Sequence, residues 1–97
     1  MQFLVQWSIP LDKRRDALEA FSRMTPTDDQ ADHGPAITLI GRWSMPSWKG
    51  FAIVETNDST AITGWLLNWV DAVDDINVTP LMSDAELRAL GKEKLQR

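Results

Sequence analysis

The chain contains no cysteine and no tyrosine, and one histidine among 97 residues. Without cysteine there is no disulfide, no thiolate nucleophile and none of the thiolate zinc sites common in small domains. Without tyrosine a phenolic proton donor is missing too, and no serine has an evident His and Asp partner, so a hydrolytic triad is disfavoured. Cations are not in excess: 10 Lys and Arg against 14 Asp and Glu give a formal net charge of −4. That balance argues against nucleic-acid binding, whose sequence-independent affinity comes from clustered Lys and Arg. The one dense basic run, Lys13-Arg14-Arg15, is flanked by Asp12, Asp16 and Glu19 and reads as a solvated helix face. Met1 to Pro10 carries no basic lead before a long apolar run, so neither a signal peptide nor a membrane anchor is expected, and the expected location is cytoplasmic.

Against these absences stand five tryptophans. Indole combines a large apolar face with one N–H donor, so several gathered together build either a heavy core or a flat, sticky pocket. The hydrophobic content of 43% and charged content of 25% are those of an ordinary globular chain, and the length suits one domain spanning residues 1–97.

Phe3, Val5, Trp7 and Ile9 alternate with Gln2, Gln6 and Ser8, the period of a strand with one apolar face, and Pro10 ends it. From Leu11 the spacing becomes helical, with Leu18, Phe21 and Met24 on one side and Arg14, Arg15, Glu19 and Arg23 on the other. The stretch from Thr25 to Pro35 has Pro26, Gly34, Pro35, Asp28, Asp29, Asp32 and His33 with hardly an apolar residue, and is expected to be an exposed loop. Ala36 to Ser44 and Phe51 to Thr56 read as a hairpin, with Trp48 near its tip. Simple alternation sets Ile37, Leu39, Gly41 and Trp43 on one face of the first strand, and Thr38, Ile40, Arg42 and Ser44 on the other.

Asn57, Asp58 and Ser59 offer helix caps before a stripe of Ile62, Trp65, Leu66, Trp69 and Val70. Asp71, Asp74 and Asp75 solvate the following turn. Ile76, Val78 and Pro80 then form a fourth strand whose proline suits a sheet edge. Ser83 and Glu86 make a capping box that opens a terminal helix with Leu87, Leu90 and Leu95. The expected class is α+β: a ferredoxin-like βαββαβ sandwich with an extra C-terminal helix. Large apolar groups on both faces of the hairpin leave one sheet face to be buried against a second copy, a dimeric α+β barrel.

The runs MQFLVQWSIP (1–10), GRWSMPSWKGFAIVET (41–56) and WLLNWVDAVDDINVTPLM (65–82) resemble a bacterial family of small proteins described as a domain of unknown function, DUF3303, within the dimeric α+β barrel superfamily. The resemblance implies the ferredoxin-like fold and a homodimer, and implies no particular activity. Relatives elsewhere in the superfamily include cofactor-independent quinol monooxygenases, haem-degrading enzymes, small-molecule isomerases and ligand-binding regulatory domains, and fold analogy does not choose among them.

The candidate site is a tryptophan-lined cleft for a small, apolar or aromatic molecule. Trp65 and Trp69 form its walls, Trp7 or Trp43 its floor, and Arg42, Asn68 and Gln6 its orienting polar groups. Its Asn and Trp pairing is similar to that of the superfamily's cofactor-free monooxygenases, and any catalysis would need no cofactor. A metal or general base would draw on His33 and its neighbouring aspartates, but one imidazole with loop carboxylates makes a weak ligand set, so no metal is expected. Haem enzymes of the superfamily ligate iron through a helical histidine, and no expected helix here contains one. The alternative is a non-catalytic homodimeric interaction or regulatory module whose tryptophans are core and interface.

Overall fold

The computed structural model describes residues 1–96; Arg97, the last residue of the expected domain, lies outside them. Four strands, β1 (Gln2–Ser8), β2 (Thr38–Met45), β3 (Lys49–Glu55) and β4 (Asp74–Leu81), form one sheet in the order β2-β3-β1-β4. Every neighbouring pair is antiparallel. The helices are α1 (Arg14–Ser22), entered through a 3-10 turn at Leu11–Lys13, then α2 (Pro26–His33), α3 (Ser59–Leu67) and α4 (Asp84–Leu95). The structure is thus mixed α+β. As Pro80 suggests, β4 is an edge strand, where a missing N–H leaves no inner ladder unpaired. Among the described residues no helix is long and apolar enough to cross a membrane.

The core lies on one side of the sheet. Phe3 and Val5 of β1, Ala52 and Val54 of β3, Ile37, and Ile62 and Trp65 of α3 form a single buried cluster, with Trp7, Leu39, Ala61, Leu66 and Trp69 packed around it. Val5, Val54 and Ile62 are the largest fully buried side chains, each contributing roughly 1.5–3 kcal/mol by burial. Thr56, also buried, donates its hydroxyl to the Ala36 carbonyl at 2.8 Å and accepts the Asp58 N–H at 3.1 Å. That hydroxyl ties the start of α3 to the approach to β2.

Three sequence expectations are overturned. Residues expected to loop between Thr25 and Pro35 instead form α2, because its end signals suffice without an apolar stripe. Thr25 and Asp28 make a reciprocal capping box, Pro26 occupies the first turn, Asp28 and Asp29 face the positive end of the helix dipole, and Gly34 stops the helix at φ 80°. His33 is therefore helical, at the last position of α2, contrary to the expectation that no helix holds a histidine.

The faces of β2 are corrected as well. Leu39 opposes Val54, but Gly41 opposes Ile53, leaving Ile40 as an unpaired bulge residue. One extra residue inverts the alternation beyond it. Arg42, opposite Ala52, now joins the helix-covered face, whereas Trp43, opposite Phe51, joins the open one. Trp43 stacks on Phe51 with ring centroids 5.2 Å apart and stays 49% exposed. Its ring lies across Gly41, where a Cβ would meet Trp43 Cη2. The open face thus carries Trp43, Phe51 and Ile53, and, by alternation from buried Phe3 and Val5, Leu4 and Gln6.

The chain is extended for its length. Its radius of gyration is 16.0 Å over extents of 57 × 28 × 19 Å, against about 13 Å for a compact 100-residue domain. The capping box of Ser83 and Glu86 forms as expected, yet α4 buries no residue, and Leu87, Leu90 and Leu95 stand exposed.

Candidate functional site

A cavity of about 330 Å³ lies between α1, the end of α3 and the helix-covered face of the sheet. That volume sits at the lower end of the roughly 300–1,000 Å³ of small-molecule sites. It exists because α1 buries only Ala17; Leu18 and Phe21, spaced for a helix's apolar side, turn toward the cavity and remain substantially exposed. The sheet side is Trp7, whose indole crosses Gly50 so closely that a Cβ there would meet its Cε2 and Nε1 at 2.6 Å. Trp65 and Leu66 of α3 form another side together with Trp69, which lies in the turn after the helix because α3 ends at Leu67, short of the expected stripe through Trp69 and Val70.

Trp48 lines the cavity from the β2–β3 turn, held at φ 61°, a left-handed conformation rare for a bulky residue. Its carbonyl accepts the Ile9 N–H at 2.9 Å, and the Arg14 guanidinium lies 5.2 Å from its ring centroid. Both contacts stabilise the strained turn.

Helix α2 supports the walls from outside the cavity. Oδ2 of Asp32 accepts the indole N–H of Trp65 at 2.9 Å and that of Trp69 at 2.7 Å. The Asn68 amide donates to Asp32 Oδ1 at 3.1 Å and to its main-chain carbonyl at 2.9 Å. One aspartate therefore sets the plane of two rings. Three residues earlier, Asp29 accepts from Arg42 Nη2 at 2.9 Å, while the guanidinium carbon stands 4.6 Å from the Phe21 ring centroid. The third aspartate, Asp28, holds the helix cap: its carboxylate accepts the Thr25 N–H at 2.9 Å, and hydrogen bonding by the Thr25 backbone and hydroxyl lowers its pKa below 3.8.

Of the residues singled out from the sequence, Trp7, Arg42, Trp65 and Trp69 converge on the cavity. The others lie elsewhere. Asn68 is engaged by Asp32, Gln6 lies between Phe51 and Asn77 on the open face, and Trp43 stacks on that same face. Sequence reasoning did not assign Trp48, Leu18 or Phe21 to the site, although the apolar stripe of α1 was a signal for the last two. Nothing in residue spacing signals Asp32, which lies 33 residues before Trp65.

His33 packs edge-on to Trp65, with ring centroids 6.3 Å apart, and its Nδ1 lies 2.8 Å from the Gly34 carbonyl oxygen. It borders a second, more open depression with Asp29, Gln30 and Thr38. Among the described residues, no three His, Asp or Glu side chains gather as a metal-ligand set. Asp71, Asp74 and Asp75 are exposed at the turn into β4, away from the cavity lining.

Fold and site define a small α+β protein in which one face of an antiparallel sheet backs an aromatic cavity. The chain belongs to the family described as "Domain of unknown function (DUF3303)", which matches residues 1–95. No curated protein matches it.

Proposed function

We propose that this protein is a homodimer of the dimeric α+β barrel type, each subunit a ferredoxin-like βαββαβ unit that binds a small, apolar or aromatic molecule between α1, α3 and the sheet. The observation that carries the ligand reading is the cavity of about 330 Å³ lined by Trp7, Trp48, Trp65 and Trp69. Aromatic side chains that face a void rather than one another offer stacking surface to a guest. Any reaction there uses no cofactor. Titrating intrinsic tryptophan fluorescence with a quinone and polyphenol panel tests the reading; a flat response to every compound would sink it.

Strand order and unburied surface support the dimer. The order β2-β3-β1-β4 with antiparallel pairing fits a split βαβ unit. Trp43 at 49% exposure and the leucines of α4, together with a radius of gyration well above that of a compact domain, fit a second copy covering the open face. Sedimentation at micromolar concentration checks this, and a clean monomer removes it. The same exposed face favours a second reading, an interaction module whose tryptophans serve only core and interface; it expects Trp65→Phe and Trp69→Phe to cost stability without any binding defect.

A further inference from the structure

We infer that the cavity takes an aromatic or flat apolar acid, with the carboxylate received by Arg42; this rests on the reading of the cavity as a ligand site. Acidic residues outnumber basic ones in the chain, 14 to 10, yet the lining holds Arg42 and Lys49 and no Asp or Glu. A concave, largely apolar site with one sign of charge selects a guest of the opposite sign.

The geometry narrows the class further. Asp32 already occupies the indole N–H groups of Trp65 and Trp69, so these rings offer a guest their faces and not their donors. Directed polar recognition then falls chiefly to Arg42, whose side chain is 16% exposed. Its guanidinium is oriented by Phe21 beneath it and by one hydrogen bond from Nη2 to Asp29. The rest of its planar fork has no hydrogen-bond partner among the described residues, and such a fork matches a carboxylate. Asp29 belongs to α2 and is not part of the lining. It keeps the guanidinium aimed, offsets part of its charge from outside the lining, and competes with an arriving acid. Lys49, the other lining cation, is exposed, so water and salt screen its charge and Arg42 alone is left to match one anionic group. A monoanion with a ring body fits better.

The test compares 2-naphthoate, the neutral 2-naphthalenemethanol and the dianionic 2-naphthyl phosphate by calorimetry and tryptophan quenching, on the full chain and two variants. The wild type is expected to bind naphthoate roughly ten- to a hundredfold more tightly than the alcohol, the range a charge-assisted hydrogen bond supplies. In Arg42→Gln the two affinities converge while the alcohol still binds. In Asp29→Asn, which removes the competing negative charge, naphthoate tightens and the alcohol is unchanged. Equal wild-type affinities for acid and alcohol overturn the inference and leave the ligand site standing; a tighter phosphate ester overturns the monoanion class. Failure of all three probes to bind removes the ligand site itself. Should Arg42→Gln not fold, the Asp29→Asn arm decides, since an unchanged acid affinity there overturns the role of Arg42.

Discussion

The indole nitrogen of Trp65 donates to Oδ2 of Asp32 at 2.9 Å, across 33 residues of sequence, and the same oxygen accepts from Trp69 at 2.7 Å. One carboxylate thereby joins α2 to the end of α3 and orients two walls of the cavity. Replacing it by Asp32→Ala leaves two indole donors without their acceptor, one of them on a buried ring. The expected loss is about 2–4 kcal/mol of stability, read as a lower urea midpoint, together with altered tryptophan emission. An unchanged midpoint would show that the carboxylate does not hold the rings.

Two glycines lie under tryptophan rings and are expected to respond differently to a methyl group. At Gly50 the added Cβ meets the half-buried Trp7, packed against the core, so Gly50→Ala is expected to cost about 1–3 kcal/mol by overpacking and to disturb the sheet side of the cavity. At Gly41 it meets the far edge of Trp43, a ring on the open face. That ring can swing away at the loss of its stacking on Phe51, roughly 0.5–1.5 kcal/mol. Denaturation of both variants checks the order, and Gly41→Ala proving the more damaging would contradict it.

Acid should weaken the helix caps. Asp58 has its pKa lowered below 3.8 by the Thr60 hydroxyl first and the Thr60 N–H second, as Thr25 lowers that of Asp28. A carboxylate whose folded pKa lies below its unfolded one binds fewer protons when folded, so its contribution is complete above the unfolded value and disappears as pH falls through the folded one. Thermal stability is expected to hold through about pH 5 as far as these groups are concerned, then to decline below about pH 4. Asp58→Asn keeps a capping acceptor that does not titrate, so its decline is expected to be shallower. A wild-type slope in that variant would remove Asp58 from the account.

The two faces of the sheet should separate by mutation. Trp43→Glu places a charge on the open face without touching the cavity, and is expected to shift sedimentation toward monomer while ligand-induced fluorescence change persists. Trp69→Ala opens a cavity wall and is expected to abolish that change while the sedimentation coefficient stays that of the wild type. Either variant affecting both readouts equally would mean the faces are not independent.

Periodicity made β1, the hairpin, α3 and the capped α4 legible, because each is written in local signals: alternation, an apolar stripe, a Ser83–Glu86 box. The α2 segment was not, since a helix of 8 residues with no apolar side carries its signal in its ends alone. At the site, Trp65 and Trp69 could be paired from their spacing. Trp48 and Asp32 could not, because Trp48 reaches the cavity through a turn conformation and Asp32 braces its walls from outside, through hydrogen bonds to residues at least 33 positions away.

Composition and local pattern settled an α+β chain with a capped aromatic helix and without thiol chemistry, because these follow from residue type and short spacing. The side on which Arg42 and Trp43 fall depended on the unpaired residue Ile40. A bulge is a property of two paired strands, and alternation read along one strand cannot contain it. That single insertion sends the guanidinium into the aromatic cavity and the indole onto the open face.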